Sequence, residues 1–144
     1  MKLKRLTALL LSVMMVLSLA ACGGGGDTKH DSASGDLSGK TIIIGNITPV
    51  TGAQAAYGLA ITNSIQLAID EINAAGGILG ATVKLSTKDD QGTPAEAVSG
   101  FNSLLSEGAS AIIGATLSSC TSAITSLADD EGIVLVTPSS TADT

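Results

Sequence analysis

The chain has 144 residues, room for one small domain or for part of a larger one. Its formal net charge is −6, from 7 Lys and Arg against 13 Asp and Glu, and no basic cluster follows Arg5, which argues against nucleic acid as a partner. Tyr57 and Phe101 are the only aromatics, and Cys22 and Cys120 stand in surroundings too unlike to suggest a disulfide framework or a zinc site.

Residues 1–21 open with Lys2, Lys4 and Arg5, continue through an apolar core from Leu9 to Leu19, and end in small residues. That is the anatomy of a secretory signal peptide, and the core is too short to span a bilayer comfortably. Leu19-Ala20-Ala21-Cys22 resembles the lipobox of bacterial lipoproteins. The resemblance implies cleavage before Cys22 and attachment of lipid through its sulfur. Residues 22–40 are then a lipidated cysteine and a flexible tether, rich in Gly, Ser and Asp with almost nothing apolar to bury. His30, the single histidine, lies in this tether without partners and reads as a solvated linker residue.

Residues 40–47 (KTIIIGNI) form a first strand, β-branched and apolar. Residues 48–58 follow as a loop punctuated by Pro49, Gly52 and Gly58. Residues 59–75 are a long helix whose stripe is Ile61, Ile65, Ala68 or Ile69, and Ile72, and Gly76 is the left-handed residue that stops it. Residues 81–88 alternate as a half-exposed edge strand does. Asp89 to Gly92 turns the chain, and Thr93, Pro94 and Glu96 supply the cap, first residue and third residue of a second helix closed by a capping box. Val98, Phe101 and Leu105 form its buried stripe, and Gly108 ends it.

Two apolar runs follow, residues 111–114 and 133–137, short enough to read as strands buried on both faces. Between them Ala123, Ile124, Leu127 and Ala128 recur at helical spacing. The alternation β-α-β-α-β-α-β, wound by right-handed crossovers, gives an α/β fold with a parallel sheet and helices on both faces. Both of the last two strands open into hydroxyl clusters. Thr116, Ser118, Ser119 and Thr121 follow one, and Ser139, Ser140 and Thr141 follow the other. These clusters are expected to converge in one crevice at the C-terminal edge of the sheet, where open α/β sheets bind ligands. A helix beginning near Ser118 aims unpaired N–H groups into that crevice, a seat for a carboxylate. Cys120 reads as a buried helix residue with nothing to activate it.

Five blocks then carry a family resemblance: IIIGNITPVTGAQAAYG, AIDEINAAGGILG, KDDQGTPAEAV, IIGATLSSCTS and DDEGIVLVTPSSTA. In this order, from Thr41 to Thr144, they resemble the branched-chain amino acid (leucine/isoleucine/valine) substrate-binding proteins of ABC transporters, which are type I periplasmic binding proteins. The resemblance implies a Rossmann-like first lobe over residues 41–144 and a second lobe absent from this chain, so that the sequence reads as a front fragment. By position Ser118 corresponds to a carboxylate-binding serine. Ser139 stands where the family uses backbone N–H and C=O, with Ser140 beside it. Thr141 corresponds to a threonine contacting both charged groups, and Tyr57 to an aromatic near the ligand side chain. Gly92 and Leu117 occupy the places of a disulfide found in some relatives, so that bond is missing here. Ser139 and Ser140 replace the more usual alanines, which leaves the substrate class open.

The function implied is an extracytoplasmic, lipid-anchored solute-binding protein. It would deliver amino acids, branched-chain ones foremost, to the membrane subunits of an ABC permease, without a cofactor. The alternative is a ligand-sensing receptor domain with the same lobe. An enzyme is disfavoured: no G-x-G-x-x-G follows the first strand, no G-x-S-x-G is present, and the one histidine lies in the tether.

Overall fold

The computed structural model describes residues 35–142. The expected signal peptide, Cys22 and His30 lie outside them. Strand β1 (Thr41–Thr48) begins the sheet, and helix α1 (Ala55–Ala74) follows it. Then come β2 (Thr82–Asp89), α2 (Pro94–Ser106), β3 (Ala109–Ile113), α3 (Ser118–Glu131) and the short β4 (Val134–Val136). All strand pairs are parallel and the order is β2-β1-β3-β4. From β1 the chain steps outward to β2, then back across β1 to β3 and on to β4. With right-handed crossovers that reversal sends α1 to one face and α2 and α3 to the other.

The α2–α3 face holds the dense core. Ile47, Phe101, Leu104, Ile112 and Ile124 are fully buried there, together with Ala97, Ala115 and Cys120. Leu104 and Ala97 rather than Leu105 and Val98 sit deepest, so the buried stripe of α2 lies about one residue away from the expected one; Val98 and Leu105 flank it, half-buried. Gly45 opens space for this packing, since a Cβ there would come within 2.7 Å of Leu104 Cδ1.

The α1 face is thinner. Ile69 is buried, whereas Ile72 remains 38% exposed. Asn46, in the middle of β1, turns to this face and donates from Nδ2 to Thr62 Oγ1 (3.0 Å) and Thr87 Oγ1 (3.3 Å). Beyond α1 a groove of about 430 Å³ runs along Ile44, Ala111, Ile113 and Val136. β4 was expected to be buried on both faces, yet Val134 and Val136 are 62% and 55% exposed. The reason is topological: β4 is an edge strand, and α1 reaches only over β1 and β2.

Local signals explain most element ends. Gly76 (φ 103°) follows the Ala75 cap, its N–H bonds Asn73 O (3.0 Å), and the Gly77 N–H bonds Ile72 O (2.9 Å), a Schellman closure. Asn73 then lends its side-chain amide to the edge strand, accepting from Val83 N at 2.8 Å and donating to Val83 O at 2.9 Å. Thr93 caps α2 through Glu96 N (3.4 Å), but its own N–H bonds Asp90 O (2.7 Å), so only half of the expected box forms. Leu37, ahead of β1, ties to Leu79 O through its N–H (2.9 Å).

α1 starts four residues before the expected Leu59 because Gly58 is not a breaker. A Cβ at Gly58 would lie 1.9 Å from Pro49 O. The glycine lets the first turn of the helix press against the end of β1, which carries Tyr57 to the C-terminal edge of the sheet.

Candidate functional site

The strand order reverses at β1, so the segments leaving β1 and β3 part to opposite faces and leave a crevice between them. A cleft of about 310 Å³ lies there, lined by Gln54, Tyr57, Thr116, Leu117, Ser118 and Ser139. Tyr57, 67% exposed, stands on the α1 side. Leu117 and Ser118 begin α3 on the other.

The start of α3 is uncapped. Leu117 is the N-cap residue, in extended conformation, and no side chain caps the helix. The Cys120 and Thr121 amides both turn back to Leu117 O (3.0 and 2.9 Å), while those of Ser118 and Ser119 have no partner among the described residues. Two free N–H groups and the positive end of a 14-residue helix therefore sit beside the Ser118 hydroxyl. Thr141 closes the arrangement from the segment after β4, its backbone N–H donating to Ser118 Oγ (3.3 Å). Ser139 is pinned alongside by its hydroxyl, which donates to Thr116 O (2.6 Å).

Not every predicted hydroxyl reaches this cleft. Thr116 lines it but shares its buried hydroxyl with Thr48 Oγ1 (2.6 Å). Thr121 is buried and donates to Ala115 O (2.9 Å), which makes it a brace for the loop before α3. Ser140 departs from expectation: together with Thr121 it lines a separate hollow of about 290 Å³ behind α3, beside Asp129 and Thr137. Its N–H bonds Thr137 Oγ1 (3.1 Å), and this turn points Ser139 and Ser140 opposite ways. Gln54 was missed although Tyr57 of the same loop was expected at the site. The available signal was its place, in the first loop after the strand at which the order reverses.

Beneath the cleft lies the turn from β2 to α2. Asp90 is fully buried; Oδ1 accepts from Gly92 N (2.9 Å) and Oδ2 has no hydrogen-bond partner. Burial, with the neighbouring Asp89 charge adding to it, pushes its carboxyl above the ordinary value. Burial and the same Asp90 raise Cys120, which is a free and fully buried thiol. Gly92 faces Leu117, and a Cβ on it would stand 3.2 Å from Leu117 Cδ1. The two positions that the resemblance associates with a disulfide are thus neighbours here. Among the described residues, no group of His, Cys, Asp and Glu is arranged to hold a metal ion, and no helix is long and apolar enough to cross a membrane.

The periplasmic binding protein family matches residues 41–144, from the first residue of β1 through every element above. The chain belongs to this family. Among its relatives, the Leu/Ile/Val-binding protein BraC3 of Rhizobium johnstonii is 41% identical over 101 residues, covering 70% of this chain and 28% of that protein. The leucine-, isoleucine-, valine-, threonine-, and alanine-binding protein of Pseudomonas aeruginosa is 37% identical over 76% of this chain and 30% of its own length. The solved structure of the branched-chain amino acid transporter substrate-binding protein LivJ from Streptococcus pneumoniae, in complex with isoleucine, superposes with a TM-score of 0.69 at 42% identity, covering 72% of this chain and 30% of that one. The fold is that of type I periplasmic binding proteins, and the chain spans about 30% of the length of these relatives.

Proposed function

We propose that this periplasmic binding protein chain is the first lobe of an extracytoplasmic solute-binding lipoprotein that delivers amino acids, branched-chain ones foremost, to an ABC import permease. The observation that carries the reading is the uncapped start of α3, whose free Ser118 and Ser119 amides and Ser118 hydroxyl line a cleft at the point where strand order reverses. A ligand carboxylate there exchanges water for charge-assisted hydrogen bonds and a helix dipole. Tyr57 and Leu117 give the ligand side chain an aromatic and an aliphatic wall. Among the described residues no Asp, Glu, Lys or Arg lines the cleft, and the proposal assigns an acidic partner for the α-ammonium to a second lobe that closes over it. The relatives' names support an amino acid as the solute.

The test is a leucine titration followed by amide NMR. Ser118→Ala should weaken binding by a tenfold to hundredfold factor, since a hydrogen bond to a charged group contributes about 1.5–3 kcal/mol. Ser106→Ala, whose hydroxyl only returns to Asn102 O on the outer end of α2, should leave it unchanged. Leucine-induced shifts confined to the outer face of α2 would reject the assignment. The anchor is proposed on Cys22 from the order of signal, lipobox and tether. Radiolabelled fatty acid should enter the parent chain and not Cys22→Ala; equal labelling of both would rule the anchor out.

A further inference from the structure

The amino acid cleft needs its first loop held in place, and the loop itself has little means of doing so. After the buried Pro49, residues 50–54 have few bonds of their own; Gly52 O accepts from Ala55 N at a long 3.3 Å. The loop is held from outside. Asp89, the last residue of β2 and the register partner of Thr48, aims its carboxylate across the end of the sheet. Its Oδ1 accepts from Val50 N (3.0 Å), Thr51 N (3.4 Å) and Gln91 N (2.9 Å), and Oδ2 accepts from Thr51 Oγ1 (2.5 Å). Three of these four donors lie on the other loop, 38 or 39 residues away in sequence. A local turn staple would use only Gln91.

We propose that Asp89 is the positioning residue of the site's first loop: by gathering Val50 and Thr51 at the end of β2, it sets where Gln54 and Tyr57 stand in the cleft. The proposal rests on the reading of that cleft as the amino acid site. Gln54 follows Thr51 by three residues, and its carbonyl accepts the Tyr57 amide (3.0 Å) in the first turn of α1, so a shift at Thr51 passes directly to both lining residues. The same turn also touches the opposite wall, where Gly92 meets Leu117. A carboxylate suits the role because both of its oxygens are acceptors. Asparagine retains Oδ1 for the amides and can donate from Nδ2 to the Thr51 hydroxyl. Alanine retains neither.

The experiment follows amide hydrogen exchange and leucine titration by NMR on the 144-residue chain. Asp89→Ala should speed exchange at Val50 and Thr51 and raise the leucine concentration for half-saturation, each by about tenfold, the loss expected for one charge-assisted contact. Asp89→Asn should restore both to within about threefold, and Thr51→Val should give a smaller loss in the same direction. Rescue by asparagine separates positioning from a requirement for the charge. If Asp89→Ala leaves exchange at Val50 and Thr51 at the parent rate, or speeds it while leucine affinity holds, the proposal is overturned. If leucine shifts no amide even in the parent, the amino acid site fails, while the exchange measurement still reports on the strap.

Discussion

Asp89 and Asp90 are adjacent, and the fold moves their acidities in opposite directions. Burial acts to raise Asp89 as well, but the Thr51 hydroxyl and the amides of Gln91, Val50 and Thr51 outweigh it and hold the carboxyl below its ordinary value. Its contribution to stability is therefore present above the ordinary carboxylate value of 3.8 and is lost as pH falls below that. Asp90 has the opposite sign. Its folded value is raised, so the folded chain holds its proton more tightly than the unfolded chain does. Stability from that group is highest under acid conditions and declines as pH climbs from 3.8 through the raised value. Asp90→Asn retains an acceptor for the Gly92 amide and removes the buried charge. At about pH 7 the variant should unfold at a urea midpoint equal to or above the parent's, and the gap should narrow as pH falls toward 4. A midpoint well below the parent's at neutral pH would mean that the hydrogen bonds to the carboxylate, the Gly92 amide first, outweigh its burial.

At the scale of elements, most of the fold was legible because the local chemistry is consistent. Ile42 to Ile44, the Thr93-Pro94 start of α2 and the Gly-Gly end of α1 each announce themselves, and the parallel alternation follows from their order. What could not be read depends on tertiary contact. Gly58 looks like a loop residue until Pro49 is found against it. Leu104 and Leu105 are equivalent in a sequence, and only the approach of Gly45 and Ile112 decides which one points inward. The Ile133–Thr137 run promised a buried strand, because hydrophobicity reports what a segment can bury against and not whether that neighbour is present. In the candidate site, Ser118, Ser139 and Tyr57 line one cleft with Thr141 hydrogen-bonded to its edge. Ser140 points away because one residue of turn geometry reverses a side chain, which a list of hydroxyls does not encode. The three acids ending α3 are exposed, where solvent keeps their cost against the helix dipole to a few tenths of a kcal/mol each.

For the molecule as a whole, the proposed function has this lobe recognise the carboxylate end of an amino acid and leaves the α-ammonium to a partner across the cleft. The free amides of Ser118 and Ser119, the Ser118 hydroxyl and the helix dipole all favour a negative group, and among the described residues no lining side chain is an Asp or Glu. On that proposal this chain by itself should bind leucine weakly, since closure of a second lobe would contribute much of the burial. Yet its preference between the two charged ends should already be set. The direct measurement is an amide NMR titration of this chain with two halves of leucine, 4-methylpentanoate, which lacks the ammonium, and 3-methylbutylamine, which lacks the carboxylate. A site that reads the carboxylate predicts that the acid shifts the amides of Ser118, Ser119 and Thr141 as leucine does, and that the amine leaves them in place. Shifts at those amides with the amine and none with the acid would contradict it.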